Sequence, residues 1–168
     1  MIKGIIFDLH GTLAYKSKSV DSKKLCKLLR KNGYDIYYPE WDAAYKFVFF
    51  VEYPRSRMNS YGDFSKKVFE VLKFKPTKEI LAKVSGYSKK NDQFKAYPDF
   101  KFVRNLKVKK AILTTIPLFR FDYLDIKSFD PIITGKEIGR AKPHPRGFLK
   151  ILAEWKLKPD EVMMVRRY

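Results

Sequence analysis

The sequence predicts an α/β fold, a parallel β-sheet flanked by helices with an inserted all-helical subdomain, and three observations predict it. The apolar run "GIIF" near the N-terminus stops abruptly at polar residues, as a short strand buried on both faces does. Beyond Pro98, short apolar runs alternate with segments of helical period, the pattern of parallel strands joined by crossover helices. Between these regions lie about eighty residues whose apolar positions recur only at helical spacing.

Taken in order, residues 3–7 read as the first strand. Asp21 or Ser22 caps a helix whose Leu25, Leu28 and Leu29 form one face, and Asn32-Gly33 stops it. Pro39 suits a first helical turn, and Trp41, Tyr45, Val48 and Glu52 follow at helical spacing until Pro54 breaks the run. A third helix opens near Gly62-Asp63 with Phe64, Val68, Val71 and Leu72 on one side. A fourth opens at Thr77, carries Ile80, Leu81 and Val84, and is expected to end around Gly86. Phe100, Val103 and Leu106 then make a helical face, "VKKAILTT" a strand, residues 118–124 a short helix and "PIITG" a strand. Residues 146–155 form a helix with Phe148, Leu149 and Leu152 expected inward, and residues 162–165 a last strand. Residues 1–14 and 97–168 are thereby assigned to the sheet and residues 15–96 to the helical subdomain.

With 168 residues, 45% of them hydrophobic, the chain can build one core and a modest insertion. Its 36 Lys and Arg against 18 Asp and Glu give a formal charge of +18, which favours anionic partners. The lysines are scattered without a basic block, so solubility explains much of the charge. Nucleic acid is admitted as a partner and not favoured. No apolar run approaches the roughly 20 residues that cross a bilayer. The N-terminus also lacks the pattern of a signal peptide, so a soluble cytoplasmic protein without membrane partners is expected. The single Cys26 excludes an internal disulfide and a cysteine metal cluster, and reads as a small core residue.

Ligands of open parallel sheets bind beyond the carboxyl ends of the strands. Asp8, Thr114 and Lys142 fall at that edge or on its loops: a carboxylate nucleophile, a neutral donor and a fixed positive charge, the groups that phosphoryl transfer needs. Singly, each has a plainer reading, the aspartate as a turn residue and the lysine as a solvated side chain. Their order and spacing say more. "IIFDLHGTL", "AILTT", "GRAKPHP" and "KPDEVMMV" resemble the successive motifs of the haloacid dehalogenase-like (HAD) hydrolase superfamily over nearly the whole chain.

That resemblance implies a Rossmann-like core with a helical cap between the first two motifs. It implies that Asp8 attacks phosphorus to form an aspartyl-phosphate, or carbon in the dehalogenase branch. Asp8 and the backbone carbonyl of His10 would contact Mg2+, Thr114 would hydrogen-bond the transferring group, and Lys142 would neutralise charge beside Asp8. Gly11 would permit the close turn and Thr12 brace it. A small anionic substrate, phosphorylated, would bind beneath the cap, with Tyr45, Phe49, Tyr53, Arg55 and Arg57 as candidate contacts. The plainer reading of those aromatics is core packing, and of the arginines a solvated surface.

Two positions depart from the family. His10 stands where the phosphatases carry a second Asp as general acid and base. Histidine can perform both tasks with a pKa near 6.5, although its ring is bulkier, and dehalogenases need no acid there. After "VMMV" come Arg166, Arg167 and Tyr168 in place of Gly-Asp and further acids, with Arg167 about where a metal-binding aspartate is expected. A cation for a carboxylate weakens attraction for Mg2+. The last strand is also expected to form an open edge of a shortened family member, at which a homodimer could pair. Three functions compete: a phosphatase acting on a small phosphorylated metabolite, a metal-independent 2-haloacid dehalogenase, and a catalytically weakened protein that binds an anion or a partner.

Overall fold

The computed structural model describes residues 1–168 except 57, 123, 141 and 168; Arg57 and Tyr168 therefore lie outside the described residues. The apolar run after Lys3 forms β1 (Gly4–Phe7), which is buried because it lies inside a sheet. Its neighbours are β4 (Lys109–Thr114) and β6 (Val162–Val165), and β5 (Ile132–Thr134) follows β4, giving the order β5-β4-β1-β6 with all pairings parallel. Gly4 lies opposite both Lys109 and Val162, and Phe7 opposite both Ile112 and Val165. β1 and β6 thus end level, β4 runs on two residues to Thr114, and Asp8 is the first residue past β1.

Alternation along β1 sends its side chains to two cores. Ile6 packs with Ala111, Leu113 and Ile133 against Ile151 and Trp155 of α7 (Arg146–Trp155). Phe7 turns the other way, edge-on to Phe129 at 5.9 Å, and Phe129 stacks at 6.0 Å on Phe100 of α5 (Phe100–Asn105). A Cβ on Gly4 would sit 2.5 Å from the Trp155 ring, so glycine there lets the helix lie directly on the strand. The buried Lys110 donates from Nζ to the carbonyls of Arg104 and Leu106 at 2.8 and 2.7 Å, satisfying the end of α5.

The fully buried residues of α7 are Gly147, Ile151 and Trp155; of the expected Phe148, Leu149 and Leu152, Phe148 packs against this core from its margin. Leu149 is 58% exposed and the other two are partly buried. The row at i, i+4, i+8 begins with a glycine, which allows closest approach, and counting leucines misplaces it by one position. Where a short helix over 118–124 is expected, the described residues form a 3-10 turn at Leu118–Arg120. A short α6 (Gly135–Ile138) follows β5, with the Thr134 N–H donating to Glu137 Oε2 at 2.7 Å.

The chain divides into two compact units, residues 1–17 with 94–168, and residues 18–93. It leaves the sheet unit through β2 (Ala14–Lys18) and returns through β3 (Gln93–Ala96), which form a two-stranded sheet that the sequence reading did not anticipate. In β2 every residue after Ala14 is exposed, so no apolar signal marks it.

The helical unit begins with α1 (Ser22–Lys31), whose N-cap Asp21 accepts the Lys24 N–H at 3.0 Å. The chain stops α1 through Gly33 at φ 84°, and α2 (Tyr38–Phe47) carries Pro39 in its first turn. The expected single helix to Pro54 is instead α2, a π-helical turn Val48–Glu52 and a 3-10 turn Tyr53–Arg55. Pro54 has no N–H to extend an α-helical ladder. α3 (Tyr61–Val71) is capped by Ser60 and α4 (Lys78–Asn91) by Thr77. α4 runs through Gly86 to Asn91: Gly86 keeps helical backbone, whereas a glycine that stops a helix takes the left-handed conformation seen at Gly33. Trp41, Val48, Val68, Phe69, Ile80 and Val84 are buried in this unit with Cys26, whose thiol burial pushes above its ordinary pKa and keeps protonated. Among the described residues, no helix is long and apolar enough to cross a membrane.

Candidate active site

The loop after β1 holds itself together before any ligand is considered. The Asp8 N–H donates to Val165 O at 3.1 Å, continuing the ladder one residue past the strand, and the N–H groups of Leu13 and Ala14 both reach Leu9 O at 2.9 Å. Gly11 takes φ 79° and donates its N–H to Ala14 O at 2.7 Å. A Cβ at Gly11 would meet nothing within 4 Å, so backbone conformation rather than space calls for glycine. Thr12 Oγ1 accepts the Arg167 N–H at 3.0 Å and so ties this loop to the segment after β6.

Within this frame the Asp8 carboxylate, only 14% exposed, is clamped on one oxygen. Its Oδ1 accepts the Leu9 N–H at 2.9 Å and the Lys142 ammonium at 2.5 Å. Lys142 Nζ also donates to Leu113 O at 2.9 Å, so β4 positions the lysine that positions the aspartate. Asp8 Oδ2 has no hydrogen-bond partner among the described residues. Thr114, 1% exposed at the end of β4, accepts the Ile116 N–H on its hydroxyl oxygen at 3.1 Å, which leaves its O–H to donate. His10 is exposed and sets its ring edge-on to Phe94 at 5.4 Å. Phe94 in turn packs on Phe121 at 4.5 Å and lies under the Arg120 guanidinium at 5.3 Å.

Asp8, His10, Thr114 and Lys142 line one cleft of about 590 Å³ in the sheet unit. Its wall also includes Ile116, Phe148 and Met164 together with Arg166 and Arg167. The apolar wall escaped the sequence reading. Ile116 lies two residues beyond a motif strand, and the helical spacing of Phe148 marks it only as a core residue, which it also is. Tyr45, Phe49, Tyr53 and Arg55 belong to the helical unit. There Tyr53 is 2% exposed, Tyr45 stacks on Phe49 at 6.3 Å and packs on Phe64 at 5.0 Å, and Arg55 is exposed.

Mg2+ takes octahedral oxygen ligands and is commonly held by one or two carboxylates with substrate oxygens and water. Among the described residues of the cleft Asp8 is the one carboxylate, against the cations Lys142, Arg166 and Arg167. One Asp8 oxygen already carries two donors, and no group of three His, Cys, Asp or Glu among the described residues could hold a metal ion. Adding the His10 carbonyl supplies one neutral ligand only. These residues do not fit Mg2+. Arg167, at the position where a metal-binding acid was sought, pairs with Asp99 at 3.6 Å and lies over the Tyr97 ring at 4.3 Å.

A family model for haloacid dehalogenase-like hydrolases matches residues 2–165. Among solved structures, the L-2-haloacid dehalogenase of Xanthobacter autotrophicus is 19% identical, with a TM-score of 0.55 over 98% of this chain and 69% of that one. A HAD family enzyme of Bacteroides thetaiotaomicron, in complex with magnesium and inorganic phosphate, is 14% identical, with a TM-score of 0.63 over 98% of this chain and 84% of that one. The 2-haloacid dehalogenase of Pseudomonas syringae pv. Tomato is 15% identical, with a TM-score of 0.63 over 98% and 77% of the two chains. No curated protein is significantly similar in sequence. At these identities the structural likeness establishes the fold.

Proposed function

Because the chain belongs to the haloacid dehalogenase-like hydrolase family, we propose that it hydrolyses a small phosphate monoester through a covalent ester on Asp8. The observation that carries this reading is the clamp on Asp8 Oδ1 by Lys142 and the Leu9 N–H, which leaves Oδ2 as the nucleophilic oxygen in the cleft. Oδ2 attacks phosphorus as the bond to the ester oxygen breaks, and His10 gives that oxygen a proton. Water then attacks phosphorus, His10 takes the water's proton, and phosphate leaves with Asp8 restored. Thr114 donates its hydroxyl proton to a phosphoryl oxygen in both steps. No step passes through Mg2+, which the cleft residues do not fit. In this reading the helical unit, residues 18–93, is the cap that selects the substrate.

The reading predicts release of phosphate from p-nitrophenyl phosphate by the wild-type protein and its loss, by at least a hundredfold, in Asp8→Asn. Equal turnover in the two proteins would sink it. A second reading, a 2-haloacid dehalogenase, is favoured by the same lack of a metal-fitting donor set and by the apolar wall of Ile116, Phe148 and Met164. Halide release from 2-chloropropionate in the presence of EDTA, without phosphate release, selects it. A protein that binds anions and turns over neither compound belongs to the third class, a catalytically weakened family member.

A further inference from the structure

Two consecutive arginines follow β6, and the structure treats them differently. Arg167 is a fastening: its N–H is held by Thr12 Oγ1 at 3.0 Å, and its guanidinium is paired with Asp99 at 3.6 Å and stacked over Tyr97 at 4.3 Å. Arg166, like Arg167, is exposed and lines the cleft of Asp8 and Lys142, but it has no hydrogen bond or ion pair among the described residues.

Charge in the cleft gives that difference a consequence. The Lys142 ammonium is committed to Asp8 Oδ1 at 2.5 Å and to Leu113 O at 2.9 Å, so it answers the charge of the nucleophile and not that of an incoming anion. An anion brought up to Asp8 needs a second positive group, and the cleft residues do not fit the divalent cation that would supply it. A guanidinium stays charged at every working pH, and its planar fork matches two oxygens of a phosphate or carboxylate. Anchoring of the next residue through Thr12, Asp99 and Tyr97 fixes the backbone from which this side chain extends, which limits the ordering cost of binding.

We infer that Arg166 is the oxyanion-binding residue of the cleft and does the charge-neutralising work of a divalent cation, so that phosphate or carboxylate ligands bind without metal. The inference deepens the reading of the Asp8 site and rests on it for the place of the anion, but it is measured as binding and not as turnover.

The test is isothermal titration of the full chain with inorganic phosphate, and separately with lactate as the carboxylate probe, in EDTA and then in excess Mg2+. Wild-type protein is expected to bind at least one of the two in EDTA, and which one identifies the anion source. Mg2+ is expected to change that affinity by less than threefold. Arg166→Ala weakens it at least tenfold and Arg166→Lys by an intermediate amount, because charge without the fork is retained. Asp8→Asn strengthens it, because the repelling carboxylate is gone. Far-ultraviolet circular dichroism checks that each variant is folded. Wild-type affinity in a folded Arg166→Ala, absence of binding in EDTA, or a tenfold gain on adding Mg2+ would overturn the inference. If binding behaves as expected and neither p-nitrophenyl phosphate nor 2-chloropropionate is turned over, the hydrolytic reading fails while the role of Arg166 stands.

Discussion

Lys142 joins two parts of the protein that are remote in sequence: its ammonium bonds Asp8 after the first strand and the Leu113 carbonyl within β4. Each partner solves a problem for the others. The aspartate is largely removed from water and needs a compensating cation, the Leu113 carbonyl needs a donor, and the lysine needs acceptors once its side chain is 21% exposed. Removing the cation leaves a carboxylate only 14% exposed beside a carbonyl oxygen. Lys142→Met should therefore lose about 2 kcal/mol of stability in urea unfolding, between the cost of an exposed and of a fully buried broken pair. Asp8→Asn/Lys142→Met should recover part of that loss, since the double variant strands no charge. A single variant as stable as wild type would show that the pair is solvated and energetically idle. Phosphate release should fall in the single variant as in Asp8→Asn, because a carboxylate held by the Leu9 N–H alone is no longer fixed or charge-compensated.

At the scale of elements, the close contact of β1 with α7 fixes where the loop carrying Asp8 begins. Gly4 faces the Trp155 ring, and Trp155 is held in place by donation from Nε1 to the Asp130 carbonyl at 2.9 Å. A methyl at Gly4 cannot be accommodated by a small rotation of a flexible tip, since the atoms it meets at 2.5 and 2.7 Å belong to a rigid ring. Gly4→Ala should cost about 2 kcal/mol, in the range of overpacked cores, read as a lower urea midpoint. An unchanged midpoint would mean that the helix shifts freely on the sheet. The same packing explains what could be read from sequence. "AILT" announced β4 because a central strand buried on both faces carries consecutive apolar residues, here Ala111, Ile112 and Leu113. β2 was invisible because its exposed "YKSK" resembles any loop, and its pairing with β3 depends on a segment some eighty residues away. α4 was cut short because Gly86 looks like a stop in one dimension, and only its backbone angles show that it is not.

For the whole molecule, two compact units share one excess of positive charge, and what the charge does is local. Most lysines are solvated, or paired on the surface as Lys46 is with Asp42 at 2.7 Å and Lys83 with Glu79 at 2.7 Å, contacts of small energetic weight. In the cleft, by contrast, the described residues include three cations, Lys142, Arg166 and Arg167, and one carboxylate, Asp8. That Asp8, Thr114 and Lys142 converge on one cleft was legible because motif order carries them across more than a hundred residues of chain. The different fates of Arg166 and Arg167 were not legible, since adjacency in sequence says nothing about which guanidinium finds Asp99 and Tyr97. In the proposed reaction Asp8 becomes covalently attached to the substrate. Acid quench during turnover of p-nitrophenyl phosphate, followed by peptide mapping of the labelled residue by mass spectrometry, tests this. The predicted result is a phosphoryl group on Asp8 in wild type and none in Asp8→Asn; a label on any other residue, or sustained turnover by Asp8→Asn, would contradict it.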